Sequence, residues 1–447
     1  MFNEDFVWGV ATAAYQIEGG VREDGRTASI WDRHCQKENV IFNGDTGDVA
    51  CDFYHRYKED ISIMKSLGIK AFRFSLSWNR ILPNGIGRVN EHGVDFYNRV
   101  IDELLASGIT PYITLLHWDL PLCLYEKGGY MNPEFPDWFA EYAKVVAGRF
   151  SDRVKYFMTF NEPQLIMGAH RGSGKAPGVK LTDAETVPMV HNILLAHGKA
   201  VLALRAYGAN DLQVGWANQG RFFYPAIESQ EAEEAAKRET FAYRYDNWYS
   251  SLSWYADPVY LGRYPEPMLS KLQKYLPNGW EEDMKIISTP IDFYCQNIYS
   301  GQLVKAKDDG YEVVKFPIGT PMTCMDWFIE PRVLYWGPKF LYERYKKPFF
   351  ISENGCAVTD IVSYDDKVHD GGRIEYLKQH IDQFLKAKED GVDARGYFLW
   401  SLMDNFEWAE AYSKRFGIIY VDYATQKRIK KDSFYYYQQL IKEKKDI

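Results

Sequence analysis

Short apolar runs rich in β-branched and aromatic residues recur along this chain, each followed by polar or Gly/Pro residues and then by a longer stretch with helical periodicity. Eight such runs can be counted, over residues 6–16, 71–78, 110–118, 156–163, 212–219, 292–300, 349–355 and 394–402. Several are apolar at nearly every position, YITLL and GYFLW among them, as parallel strands covered on both faces must be. Helical periodicity between them predicts helices over 54–67, 93–107, 136–150, 183–207, 230–252, 331–345 and 372–389. Gly68 and Gly108 supply stop signals behind the first two.

The length of 447 residues corresponds to about three domains at roughly 150 residues each. No Ser- or Pro-rich linker separates the units, so the repetition points instead to one domain spanning 1–447, an α/β fold closed as a single (β/α)8 TIM barrel. The surplus over a barrel of ~250 residues then lies in insertions at 18–51, 120–133, 164–181, 302–330 and 403–427. Each follows a strand, which places these long loops on the C-terminal face, where barrel active sites are built. An open doubly wound sheet is the alternative, disfavoured because no glycine-rich phosphate loop follows the first strand.

The net charge of −8 and the scattered Lys and Arg leave no footprint for nucleic acid or a membrane surface. Six cysteines, far apart and without a CxxC pair, suit isolated reduced thiols better than a disulfide framework or a zinc site. The N-terminus MFNEDFVWGV has acids where a signal peptide carries a basic region, and no apolar run approaches the ~18 residues of a membrane span, so a cytoplasmic location is expected. Aromatic residues reach 16%, with 33 Tyr and 13 Trp. Such a surplus suggests surfaces that stack on something flat, with most tyrosines left for packing.

Polar residues at strand C-terminal ends are the candidates for function. They include Gln16 and Glu18, Arg73 and Trp78, then His117, Trp118 and Asp119. Further along stand Asn161 and Glu162, Asn297 and Tyr299, Glu353 and Asn354, and finally Trp400, Asp404, Asn405, Glu407 and Trp408. Two strands share one form, an apolar run that stops at an acid: YFMTFNEP for Glu162 and PFFISENG for Glu353. Two carboxylates at one barrel mouth are the equipment of glycoside hydrolysis, one protonating the leaving oxygen while the other attacks or activates water. Proximity also splits their pKa values, because a charged nucleophile keeps its neighbour protonated. A sugar further needs hydroxyl partners, which Gln16, His117, Asn161 and Glu407 supply, and flat faces, which Trp118, Trp327, Trp400 and Trp408 supply. His117 sits in HWDLP beside a Trp and an Asp, and the nine histidines include no HExxH, so a sugar contact is preferred to a metal site.

The segments FVWGVATAAYQIEGG, RFSLSWNRILPNG, TLLHWDLP, TFNEP, ISENG and WSLMDNFEWAEAYSKRFG together resemble glycoside hydrolase family 1, the retaining β-glucosidases, over residues 6–437. The resemblance implies a (β/α)8 barrel and a double displacement that needs no cofactor and no metal. It implies Glu162 as acid/base and Glu353 as nucleophile. Gln16, His117, Asn161, Glu407 and Trp408 would hold the glycone hydroxyls, with Trp400 as platform. Tyr299 would hydrogen-bond the nucleophile, Arg73 would lie beneath the carboxylates, and Trp327 would stack on the aglycone side. The implied partner is a small-molecule β-glucoside or oligosaccharide.

Departures from the family pattern fall at three places. Trp216, Ala217, Asn218 and Gln219 follow Gly215, so that either Asn218 or Gln219 could reach the site; Lys175 replaces the His of a frequent HAPG run; Gln164 replaces a Trp after NEP. The last two fall on aglycone-side loops and point to an unusual leaving-group preference. Two rival readings fit the sequence less well. A 6-phospho-β-glucosidase would have to place a phosphate beside Glu407, with Lys414 available but Phe416 near the expected tyrosine. A catalytically inactive carbohydrate-binding barrel would usually lack one of the two carboxylates, and both are here.

Overall fold

The computed structural model describes residues 6–243, 245–307 and 310–445. Eight parallel strands close into a barrel: β1 (Val7–Ala11), β2 (Ala71–Ser75), β3 (Thr110–Leu116), β4 (Tyr156–Asn161), β5 (Gln213–Asn218), β6 (Tyr294–Asn297), β7 (Phe349–Asn354) and β8 (Ala394–Trp400). Neighbours in sequence are neighbours in space, and β8 closes on β1 with Val7 opposite Gly396 and Ala11 opposite Trp400. Each strand lies within one of the eight apolar runs read from the sequence.

The strands are apolar on both faces because both are buried. Ala11, Ala71, Tyr112, Met158, Phe293, Phe350 and Phe398 fill the barrel interior, and a larger apolar layer packs strands against the surrounding helices. Glycine makes room where two strands would collide. A Cβ on Gly9 would meet the Phe398 ring at 2.6 Å, and one on Gly215 would meet the Phe293 ring at 2.1 Å.

The expected strands and helices form in order, with one correction to each. Residues 6–16 do not form one strand: β1 stops at Ala11, and Ala14–Ile17 is a short helix that carries Gln16. The stretch 230–252 is not one helix either. Helix Gln230–Phe241 ends where the chain turns inward to bury Trp248, whose Nε1 donates to Asp183 Oδ1 at 3.0 Å, and a new helix begins at Leu252. Burial of that indole outweighs continued helical hydrogen bonding.

Helix Asp183–Tyr207 is long and apolar enough to match a membrane span by composition, yet 72% of its most apolar window is buried within the protein. Its N-terminus is capped reciprocally by Thr182 and Glu185. Helix Asp432–Lys445 closes the fold and ties to β1 through the Tyr437 hydroxyl, which donates to the Gly9 carbonyl at 2.9 Å.

The insertions carry their own order. Strands Phe223–Pro225, Gln302–Lys307 and Gly310–Val314 form a small sheet, and Ile419–Asp422 pairs with Lys427–Lys430 as a hairpin. The loop behind β8 is fastened by buried charge: the Lys431 ammonium donates to Asp360 at 2.6 Å and to Asp404 at 2.7 Å, while Arg415 holds the other Asp404 oxygen. All six cysteines are free thiols.

Candidate active site

Both acid-bearing strands lose regular register at their C-terminal ends. The β4–β5 pairing shifts between Met158 and Asn161, and the β6–β7 pairing shifts between Ile351 and Glu353. Such irregularities re-aim side chains at a barrel rim. Glu162 itself adopts a left-handed backbone, φ 46°, a conformation that a non-glycine residue keeps only when its surroundings demand it. Its N–H donates to the Ala217 carbonyl at 2.9 Å, and Pro163 then starts a helix behind it.

A cavity of about 270 Å³ opens at this rim, and Glu162 and Glu353 both line it, each only 4% exposed. Their surroundings differ. Glu353 accepts from Arg73 Nη1 at 2.6 Å through Oε1 and from the Tyr299 hydroxyl at 2.7 Å through Oε2. Glu162 accepts from Asn297 Nδ2 at 2.8 Å and, among the described residues, makes no ion pair, with Lys175 and Arg73 acting on it only from a distance. The Asn297 amide is oriented by Ser352, whose hydroxyl donates to Asn297 Oδ1 at 2.6 Å. Because Asn297 stands opposite Glu353 in the β6–β7 pairing, one side chain lies beside both carboxylates.

Electrostatics separates the two acids. Burial, and next to it the charge on Glu353, pushes Glu162 up to about 8. Burial also raises Glu353, but Arg73, Tyr299 and Asn297 act against the rise. At neutral pH the proton therefore resides on Glu162 and the charge on Glu353. The Tyr299 phenol, raised well above its ordinary value by burial and by the charge on Glu353, stays a donor throughout.

Arg73 is the hub beneath the cavity. Besides Glu353 it donates to the Ser352 carbonyl at 3.1 Å, to Asn161 Oδ1 at 2.7 Å and to Thr114 Oγ1 at 3.3 Å. Asn161 in turn donates from Nδ2 to His117 Nε2 at 3.0 Å, which puts the imidazole proton on Nδ1. Burial, reinforced by Arg73, keeps that ring neutral. His117 Nδ1 and Gln16 Oε1 are buried and have no partner among the described residues, so each presents one unmatched polar atom.

Trp118, Trp327, Trp400 and Trp408 all line the cavity, together with His117, Tyr299 and Glu407. The His117 ring lies nearly parallel to Trp400 and Trp408, with centroids at 6.0 and 5.8 Å. Trp118 and Trp408 both take positive φ, 74° and 51°, further backbone strain concentrated at the rim. Gln16, Asn161 and Arg73 do not line the cavity directly. Gln16 borders Glu407, its amide donating to the Phe406 carbonyl, to Asn405 and, at 3.4 Å, to Glu407, so that Oε1 is the atom it has left to offer a ligand. Burial pushes Glu407 up to about 7, against the pull of Lys175.

The structure fixes the places of several residues whose roles the sequence leaves open. Gln219 lines the cavity, whereas Asn218 is buried beneath it, accepting from Trp216 Nε1 and from Gln164 Nε2. Gln164 is thus a support for the β5 end rather than a cavity wall, and its Oε1 accepts from the Gln219 N–H at 3.3 Å. Lys175 enters the cavity with its ammonium 5.2 Å from the centre of the Trp118 ring. Asn297 was legible as a polar strand end, but its place between the carboxylates was not. Phe416 lines the cavity beside Trp327, while Lys414 is turned away, donating to the Cys324 carbonyl.

The model of glycosyl hydrolase family 1 matches residues 1–446. Beta-glucosidase A of Thermotoga maritima is 49% identical, over 99% of this chain and 98% of its own length. Beta-glucosidase A of Acetivibrio thermocellus is 45% identical with the same coverage. The solved structure of the T. maritima beta-glucosidase in complex with glucoimidazole superposes with a TM-score of 0.90 at 48% identity, covering 99% of this chain and 98% of that one.

Proposed function

The chain belongs to glycosyl hydrolase family 1 and is a β-glucosidase, a premise from which we infer that it cleaves by retention, with Glu353 as nucleophile and Glu162 as acid and then base. The unequal settings of the two acids carry this reading: arginine and tyrosine on Glu353, a lone amide on Glu162. In the first step a Glu353 oxygen attacks C1 of the glucosyl unit, the bond from C1 to the leaving oxygen breaks, and that oxygen takes the proton of Glu162. Ester formation discharges Glu353, which removes one cause of the raised pKa of Glu162. Glu162 can then accept the proton of a water whose oxygen attacks C1 and frees Glu353.

Arg73 and Tyr299 stabilise the charge on Glu353 before attack and again as it leaves. They also hold its carboxyl at two points, so that the attacking oxygen is positioned rather than mobile. The unmatched atoms of His117 and Gln16, with Glu407, are the hydroxyl partners of the glucosyl unit, and Trp400 is its platform. Cellobiose, short oligosaccharides and aryl or alkyl β-glucosides fit this chemistry, and cellulose breakdown is a process it would serve. A 6-phosphate on the sugar is disfavoured, because Glu407 faces the cavity while Lys414 is committed to the Cys324 carbonyl.

The test is the anomer released first from a nitrophenyl β-glucoside, followed by proton NMR before mutarotation. β-Glucose supports the reading, and α-glucose contradicts it. A panel of nitrophenyl β-glycosides and of the 6-phosphate, compared as kcat/KM, measures the glycone preference.

A further inference from the structure

Beyond the cavity lies a second, more open groove of about 800 Å³, and Gln219, Gly220, Ser300 and Trp327 line both. It runs between the sheet formed by 223–225, 302–307 and 310–314 and the segment 326–328. Aromatic side chains supply much of its wall: Trp327, Phe222, and Phe316 against Phe328 with ring centroids at 4.2 Å. Its charged lining residues are Arg221, Lys315 and Asp326.

The two cations are uncommitted. Among the described residues, neither Arg221 nor Lys315 makes an ion pair or a hydrogen bond, although both stand on a chain of net charge −8. Nearby basic residues are used differently: Lys305 and Lys307 both pair with Glu312, and Arg332 pairs with Glu330. Inside the cavity Lys175 likewise makes no ion pair among the described residues: its ammonium lies 5.2 Å from the centre of the Trp118 ring and acts on Glu407 from a distance. Flat apolar walls with free cations beside them match a ligand that is flat and anionic.

We propose that this groove binds the far end of a leaving group that extends past its first ring and carries a carboxylate, so that β-glucosides of aromatic acids are preferred to their neutral counterparts. The proposal rests on the reading that the cavity holds the glucosyl unit. The leaving group then emerges past Trp327 and Gln219, residues common to both spaces. The aromatic part lies against Trp327 and the phenylalanines, and the carboxylate faces Arg221 and Lys315.

The test compares 4-(β-D-glucosyloxy)phenylpropanoic acid with its primary amide. The saturated spacer keeps the phenol equally acidic in both, so bond cleavage is matched and only the distal charge differs. The acid should be favoured in kcat/KM by about threefold to tenfold at low salt, the range that two partly exposed charge contacts provide. The preference should fade in ~1 M salt, where screening acts within about 3 Å. In an Arg221→Gln/Lys315→Gln double variant the acid-to-amide ratio should fall to near one, and because it is a ratio within one enzyme, general damage cancels. Turnover of both compounds at equal kcat/KM by the unaltered enzyme overturns the groove proposal alone, as does a preference that survives in the double variant. Turnover of neither, nor of a nitrophenyl β-glucoside, overturns the glucosidase reading and the proposal with it.

Discussion

Replacing Tyr299 by Phe removes one hydroxyl and keeps the ring that packs against Trp327 and Phe416, with centroids at 5.2 and 6.1 Å. The lost bond is the 2.7 Å donation to Glu353 Oε2. A hydrogen bond to a charged group is worth about 1.5–3 kcal/mol, and one pKa unit corresponds to about 1.4 kcal/mol. The Glu353 pKa should therefore rise by about 1–2 units. Because the nucleophile must be ionised, this shift moves the acidic limb of the kcat/KM profile upward. The basic limb, near the value of about 8 to which burial and the charge on Glu353 push Glu162, should stay close to its place. The assay is kcat/KM for a nitrophenyl β-glucoside across pH 4–9 for both proteins. A fall in rate with an unmoved acidic limb, or movement of the basic limb alone, would refute the assignment of Glu353 as the group that works ionised.

Removing the acid by Glu162→Ala should erase the basic limb and slow alkyl β-glucosides by about 10²–10⁴-fold, while dinitrophenyl glucosides keep most of their first-step rate; stopped-flow bursts measure this directly. Lys175→Met removes the cation that holds Glu407 down, so its carboxyl should be protonated at higher pH, and KM should rise at neutral pH and recover as pH increases. Lys431→Met takes one cation from two buried aspartates, leaving Asp360 to Arg373 and Asp404 to Arg415, and should cost about 3 kcal/mol, the lower end for a broken buried pair, read as a lowered thermal midpoint with unchanged KM in the surviving enzyme.

The barrel was legible because parallel strands buried on both faces read as continuous apolar runs, as β3 and β8 do, and because each breaks off at Gly, Pro or a polar residue. The same rule failed at 6–16, where small and apolar residues continue through Ala13 and Ala14 and nothing marks the change from β1 to the helix bearing Gln16. Helix Asp432–Lys445 carries Phe434 and three consecutive tyrosines in its first two turns, a composition that favours strand. Its buried positions Phe434, Tyr437, Leu440 and Ile441 nevertheless keep helical spacing, a signal that was available. At the site, residues at strand ends could be identified by type and place. The reach of Lys175 into the cavity, the choice of Gln219 over Asn218 and the position of Asn297 depend on contacts between elements far apart in the chain, which local pattern does not encode. The aromatic surplus resolves similarly: four tryptophans line the cavity, while Tyr112 and Tyr156 stack at 4.2 Å inside the barrel and Trp78 and Tyr142 at 4.7 Å outside it.

The division of labour between the two carboxylates is tested most directly by azide rescue of the truncated enzymes. With Glu353→Gly, ordinary turnover should be lost, and azide should attack an activated β-glucoside from the face that Glu353 occupied, giving the α-glucosyl azide. With Glu162→Ala, the glucosyl-enzyme still forms on Glu353, and azide should attack it from the opposite face, giving the β-glucosyl azide. NMR of the two products reads the anomers. That pair is the result expected here, and the reverse pair, or one anomer from both variants, would contradict the roles assigned to Glu162 and Glu353.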